Sequence, residues 1–429
     1  MTKRNILVLI LLCVVVFAAG CQKSGVEPSS TPTVAANPTL TPPPQTVAPA
    51  PTLTPTPTPK PDPVEEQLAA MTVEEKVGQL LVAGIDGLTP GEDGRIAIQD
   101  YKVGGIILFS RNVESAGQLV ELTNGLKELN KNYVNLFVSV DEEGGRVSRM
   151  PREVTDLPSA YDYIQQGGDP YLRGEVLAEA CRTFGFNMDF APSLDVWSNP
   201  NNTVIGDRAF GTTVDDITTN GPDCAYGLMD AGMVPVVKHF PGHGDTAVDS
   251  HVGLPVVSKT AEQLLKEELL PFQLAIKGLS LFRDRELNGV PAVMVSHILL
   301  TEVDPEYPAT LSPKVIGGLL REDMGFDGMV VTDDLTMSAL SDTYSMGETA
   351  VLALEAGCDL LLVCHKTENL TAAYDALLEA VNSGRVSMER LDESVRRILT
   401  VKHDYQISGE PVSEPDVAAL NEKIAAILP

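Results

Sequence analysis

Three of the six histidines fall within thirteen residues, in the run KHFPGHGDTAVDSH from Lys238 to His251. Imidazole changes charge near neutral pH, so such a cluster is acid/base equipment. Pro241, Gly242 and Gly244 favour a loop over a helix, and a loop there can fold His251 back over a pocket. Asp249 stands two residues before His251, close enough for its carboxylate to hold one imidazole tautomer and raise the ring's basicity. A second concentration of chemistry is GFDGMVVTDDL, Gly325–Leu335, which places Asp333 and Asp334 just past an apolar run. A carboxylate there can attack an anomeric carbon while a histidine protonates the departing oxygen. That is a two-step retaining displacement in which histidine replaces the usual second carboxylate. Neighbouring side chains on a strand point to opposite faces, so one aspartate of the two is expected to face the pocket, and spacing alone leaves both open. His239, His243, Asp245 and His251 are also residue types that bind zinc. Their spacing matches neither HExxH nor HxHxDH, so no metal and no cofactor is expected.

These residues need a frame that brings them together. From about Pro63, short apolar β-branched runs alternate with amphipathic stretches. The runs are Leu80–Ile85, Gly105–Phe109, Leu136–Asp141, Met188–Val196, Val234–Phe240, Ala292–Ile298, Met329–Asp333 and Cys358–Val363. Unbroken apolarity suits strands buried on both faces of a parallel sheet. Helices are predicted over Ala116–Leu129, Leu172–Phe184, Ala261–Ile276, Pro313–Met324, Glu368–Val381, Met388–Tyr405 and Pro415–Ile427. Eight strand–helix units favour an α/β fold of the (β/α)8 TIM-barrel type over a doubly wound sheet. The polar segments DEEGGR, LDVWSNPNN, KHFPGHGD, SH and TDD follow strands three to seven. In a barrel, all those strand ends share the face that carries active sites.

On these motifs the chain resembles glycoside hydrolase family 3, in particular its β-N-acetylglucosaminidases, from about Val64 to Tyr405. LLREDMGFDGMVVTDDLT, Leu319–Thr336, is similar to the family's active-site signature. The resemblance implies that the aspartate after the threonine, Asp333, is the nucleophile. KHFPGHGDT…DSH resembles the N-acetylglucosaminidase branch and implies Asp249–His251 as a mobile acid/base dyad. The β-glucosidase branch takes a glutamate from a later domain, and no such domain is expected here. The resemblance further implies that Asp141, Arg149, Arg208, Lys238 and His239 bind the hydroxyl and acetamide groups of the sugar. Glu142 stands where the family often has glutamine. His297 is expected to be structural, and Trp197 to pack rather than stack on sugar.

The N-terminus reads as an address. Lys3 and Arg4 precede an apolar run, Ile6–Phe17, that ends in Ala18-Ala19-Gly20-Cys21, a pattern that resembles a bacterial lipobox with Cys21 as lipid attachment. Residues 28–63 are rich in Pro, Thr, Ala and Ser, and such a segment favours extended polyproline II. At about 3.1 Å per residue it reaches on the order of 100 Å. The expected organisation is a lipoprotein signal peptide at 1–20, a lipidated Cys21 and linker at 21–63, the barrel at 64–407 and a tail at 408–429. The protein would sit on the outer face of the bacterial membrane, held by its N-terminal lipid only. A formal net charge of −28 repels phosphate backbones, so nucleic acid is not an expected partner. Cys181, Cys224, Cys358 and Cys364 show no zinc-site spacing, and a disulfide among them stays open.

The expected activity is exo-hydrolysis of terminal β-linked N-acetylglucosamine (GlcNAc) from muropeptides or related glycans. Two alternatives are a phosphorylase using the same residues and a non-catalytic sugar-binding lipoprotein.

Overall fold

The computed structural model describes residues 62–246, 250, 253–281 and 285–429. The leader, Cys21, the linker up to residue 61, Asp249 and His251 lie outside the described residues. Eight parallel strands close into a barrel in chain order. They are β1 Leu81–Gly84, β2 Gly105–Ile107, β3 Phe137–Val140, β4 Met188–Asp189, β5 Val234–Phe240, β6 Ala292–Val295, β7 Met329–Asp334 and β8 Leu360–Val363. The ring closes where β8 meets β1, Leu81 opposite Leu361 and Ala83 opposite Val363. With helices packed outside, β3, β5, β6 and β8 are buried along their whole length, which is why their sequences are apolar without alternation.

Two expected elements come out differently. The fourth strand shrinks to Met188–Asp189. Pro192 has no N–H for a ladder, and the chain rejoins β5 only at the Ser193–Lys238 bridge. The expected helix Ala261–Ile276 divides into Ala261–Lys266 and Leu270–Lys277, because the Pro271 ring would collide with the carbonyl four residues back. Most other helices begin at capping residues. Asp169 accepts from the N–H groups of Tyr171 and Leu172, and Thr213 forms a reciprocal box with Asp216. Helices Pro170–Thr183 and Val214–Asp230 touch backbone to backbone: a Cβ on Gly174 would sit 2.1 Å from the Cys224 carbonyl oxygen, and one on Gly227 2.1 Å from that of Tyr171.

Two polar anchors hold the N-terminal end of the barrel. The buried Asp359 carboxylate accepts from Val330 N, from Ser394 Oγ at 2.7 Å and from Arg321 at 2.7 Å, with Arg397 at 3.3 Å and Arg390 at 3.5 Å. It joins the starts of β7 and β8 to the helix Met388–Asp404. Lys402, on that helix, donates to Gln79 Oε1 and the Gly104 carbonyl and lies 4.8 Å above the Phe137 ring. Among the described residues no carboxylate pairs with it, and burial pushes its amine down to about 7. The helix Val417–Ile427 lays Leu420 and Ile424 onto the body. All four cysteines of the body are free and buried. Among the described residues, no helix is long and apolar enough to cross a membrane.

Candidate active site

At the C-terminal ends of the strands, a cavity of about 450 Å³ is lined by Asp141, Arg149, Arg208, Lys238, His239, Asp333 and neighbours. Every described residue to which the sequence assigned substrate contact or nucleophilic attack therefore reaches one space. A larger cleft, about 1190 Å³, opens at the opposite end around Asp327, Arg397 and Tyr405. The strand-end acids and the histidine loop do not reach it, and the C-terminal face is where a barrel of this type keeps its chemistry.

One wall of the cavity is a locked charge network. β5 carries Lys238, whose Nζ lies 2.7 Å from Asp141 Oδ1 and 2.7 Å from Glu143 Oε1. Glu143 also accepts two bonds from the Arg208 guanidinium, at 2.9 and 2.7 Å. Burial works against the Glu143 charge, but Arg208 and Lys238 outweigh it and hold the carboxyl well below the usual range. Burial likewise disfavours the Lys238 ammonium, and Asp141 and Glu143 turn the balance upward. Four groups from the ends of strands three to five are thereby fixed in place before any sugar arrives.

The histidines are ordered by Asp195, just past β4. Its Oδ2 takes His239 Nδ1 at 2.6 Å, and its Oδ1 takes the His243 backbone N–H at 2.6 Å. Arg208 Nη2 lies 3.3 Å from His239 Nε2. A guanidinium can only donate, so when the ring is neutral Nε2 accepts and the ring proton sits on Nδ1. Burial raises the Asp195 carboxyl, while the two histidines lower it further, to about 2. His243 meets Thr246 Oγ1 at 2.7 Å and Ser250 Oγ at 3.3 Å. Burial and the His239 ring beside it keep His243 below its ordinary value. His239 and His243 are thus held by protein oxygens.

Asp333 and Asp334 both border the cavity, which corrects the expectation that alternation would turn one away. The pairing of β7 with β8 shifts between Val331 and Asp334, so simple alternation stops before the strand does. Hydrogen bonding separates the two. Asp334 Oδ1 accepts from Thr336 N and Cys364 N, and its Oδ2 from Thr336 Oγ1 at 2.6 Å. Asp333 accepts one bond, from Asp334 N to Oδ1 at 2.8 Å. Burial opposes its charge, yet His297, His239, that N–H and Lys238 together hold it below the usual carboxylate range. His297 is fully buried, bonded to Thr310 Oγ1 and the Asp334 carbonyl, so it is structural as expected. Trp197 packs edge-on to Tyr161 and is not in the cavity lining.

Ser250, which precedes His251 in sequence, lines the cavity; Asp249 and His251 themselves fall outside the described residues. Residue types and spacing did not single out Glu143 or Asp195 as organisers. Their signal was only their place in DEEGGR and LDV, at strand ends.

A closed parallel barrel with an ionised, half-bonded carboxylate in its C-terminal mouth, facing a preset ring of sugar-compatible donors, has the architecture of a barrel glycosidase. Residues 72–401 match the family described as "Glycosyl hydrolase family 3 N terminal domain". The chain is 38% identical to a β-hexosaminidase of Methylococcus capsulatus over 64% of its own length and 79% of that relative. It is 35% identical to the β-hexosaminidase LpqI of Mycobacterium tuberculosis over 78% of its length and 84% of that relative. A glycoside hydrolase family 3 β-N-acetylglucosaminidase structure from a Paenibacillus species superposes with a TM-score of 0.75 at 43% identity, covering 84% of this chain and 69% of that one. The chain belongs to glycoside hydrolase family 3, and it is a glycoside hydrolase.

Proposed function

We propose that the protein is a retaining exo-β-N-acetylglucosaminidase. The observation that carries this reading is the Asp333 carboxylate, ionised, lining the cavity, and bonded through only one oxygen. Its free oxygen attacks C1, and the bond from C1 to the leaving oxygen breaks. His251, steadied by Asp249, gives its proton to that oxygen. Water then adds to C1 of the glycosyl-Asp333 ester, His251 takes the proton, and the carboxylate is restored. Asp141, Arg149, Arg208, Lys238 and His239 hold the sugar hydroxyls and acetamide. The β-hexosaminidase names of the relatives support the choice of an N-acetylated hexose. The natural substrates on this reading are muropeptides or related β-linked GlcNAc glycans.

A 5-fluoro GlcNAc glycoside, which slows turnover of the intermediate, tests the chemistry. Mass spectrometry is expected to find the sugar on the peptide that carries Asp333, and Asp333→Ala to lose turnover while keeping the wild-type thermal transition. A label elsewhere, or substantial activity in Asp333→Ala, overturns the assignment.

We also propose that the protein is lipid-anchored through Cys21 on the outer face of the cell membrane, with the Pro/Thr-rich stretch as spacer. A clickable fatty-acid analogue is expected to label the wild type and not Cys21→Ala; equal labelling of both removes the anchor.

A further inference from the structure

The segment that follows β3 carries two arginines three residues apart, Arg146 and Arg149, and the mechanism uses only the second. Arg146 is not in the cavity lining, and its side chain is 45% exposed. Its Nη2 lies 2.9, 2.8 and 2.9 Å from the carbonyl oxygens of Thr203, Val204 and Ile205. Its Nε donates to Asp207 Oδ1 at 2.8 Å. Three consecutive carbonyls turned toward one point concentrate partial negative charge, as at the C-terminus of a helix, and a cation placed there is stabilising. Gly206 follows with φ +49°, a left-handed turn that glycine makes without a Cβ penalty. Two residues further on stands Arg208.

Two of those carbonyls also hold Arg208. The Val204 oxygen accepts from Arg208 Nη1 at 3.1 Å, and the Ile205 oxygen accepts the Arg208 backbone N–H at 3.0 Å. Arg146 and Arg208 thus grip the same acceptors from opposite sides of the active-site rim. The N–H groups of the turn are pinned separately. Asn202 Oδ1 accepts from Val204 N at 3.0 Å and from Ile205 N at 2.9 Å, and Asn202 Nδ2 donates to the His243 carbonyl at 2.7 Å. Glu143, which receives the Arg208 guanidinium, belongs to the same segment as Arg146. Asn202 and Glu143 are buried, so they brace the turn and the guanidinium from inside, while Arg146 closes the carbonyl side from the surface. Without it, water competes for those carbonyls and the Val204 oxygen loses its aim at Arg208.

We infer that Arg146 is a positioning residue for sugar binding: it fixes the 203–207 turn, so that the Arg208 guanidinium is already aligned when a sugar enters. The inference rests on the N-acetylglucosaminidase reading, in which Arg208 contacts the sugar, and adds the residue that presets that contact.

Arg146→Ala removes a half-exposed ion pair, so its Tm is expected to stay within about 2 °C of wild type. KM for an aryl GlcNAc glycoside is expected to rise about five- to tenfold, the scale of one weakened charge-assisted contact, with kcat within about twofold. Asp207→Ala, which frees Arg146 Nε, is expected to raise KM in the same direction by less; it serves if Arg146→Ala folds poorly. A double-variant cycle with Arg208→Lys separates positioning from general bracing. Lysine keeps a cation for Glu143 and lacks the fork that meets Val204, so on that background Arg146→Ala is expected to raise KM less than about twofold further. An unchanged KM in Arg146→Ala, or the same KM penalty on the wild-type and Arg208→Lys backgrounds, overturns the positioning role. Failure of the wild type to cleave the aryl glycoside sinks the N-acetylglucosaminidase reading instead, so the two failures are distinct.

Discussion

Glu143→Gln should separate binding from chemistry at this site. The Glu143 side chain is 5% exposed and receives Arg208 through two N–H groups and Lys238 through its ammonium. Glutamine keeps the shape but presents an amide N–H₂ to at least one cation. Removing one member of a buried ion network costs about 3–5 kcal/mol. Lys238 retains Asp141, which places the expected loss near the lower end, about 3 kcal/mol. In a domain of this size that corresponds to a fall of about 6 °C in Tm, at roughly 2 °C per kcal/mol.

The sign of the pH effect follows from the depressed carboxyl. Glu143 contributes stability above its unfolded value of about 4.3, and that contribution is lost as pH falls through the lower folded value. The gap between wild type and variant should thus be full at pH 7 and narrow in acid. The kinetic effect should be selective. Losing a negative charge leaves Asp333 in a more positive setting, so the nucleophile stays ionised and the acid limb of the profile does not move upward. Displaced Arg208 and Lys238 instead weaken sugar binding, and KM should rise about tenfold or more, one lost charge-assisted contact being about 1.5–3 kcal/mol. Differential scanning calorimetry with steady-state kinetics on an aryl GlcNAc glycoside reads both quantities. A variant with wild-type Tm at pH 7, or with unaltered KM, would refute the view that Glu143 preorganises the sugar-binding wall.

His251→Ala should slow alkyl GlcNAc glycosides far more than aryl ones, because activated aryloxides leave without a proton; equal losses on both would count against it as proton donor. Lys402→Met should stabilise the protein at neutral pH. The lysine loses its proton at about 7 when folded and at about 10.4 when unfolded, so the unfolded chain binds more protons between those values and wild-type stability rises with pH there. Urea midpoints at pH 7 and pH 9 should show that rise, on the order of 2 kcal/mol, vanish in Lys402→Met; a persistent rise of the same size would show that Lys402 is not its source. Asp359→Asn should cost about 3 kcal/mol by leaving Arg321 without a carboxylate, while Arg390 and Arg397 keep Glu393, with little change in KM because the anchor lies at the far end of the barrel; a KM shift without a stability loss would contradict that placement.

Much of this architecture was legible because periodicity and capping are local. The strand Val234–Phe240 and the helix Ala116–Leu129 have the limits their sequences predict. The fourth strand and the Pro271 break were read too long because each is decided by one missing N–H or one steric clash. The cavity residues were legible as strand-end polar groups. Their division of labour was not, since it depends on which carboxylate meets which cation across the barrel. Asp141 and Glu143 are two apart and share Lys238, while Glu142 between them turns away to accept from Ser148 Oγ and Arg149 N. Burial pushes that carboxyl up to about 7. The anchors at Lys402 and Asp359 gave no sequence signal, because a buried charge looks like a surface charge until its neighbours are known.

The pair Asp333–Asp334 shows how a strand end assigns reactivity without distance deciding it. Both carboxylates border the same cavity, so access does not distinguish them. Asp334 has committed both oxygens, and its bonds to Thr336 and Cys364 fix the turn after β7 and the end of β8. Attack through Asp334 Oδ2 would displace the bond from Thr336 Oγ1, and attack through Oδ1 the two backbone bonds, each worth about 0.5–1.5 kcal/mol net and more for a charged acceptor. Asp333 gives up none, since only one oxygen is engaged and the other faces the cavity. The turn that those bonds fix also carries the Asp334 backbone N–H, which donates to the Asp333 carboxylate. On the proposed assignment, reactivity at this site follows from unspent hydrogen-bonding capacity, and the residue with both oxygens engaged serves as the fixture for the one that has an oxygen to spare.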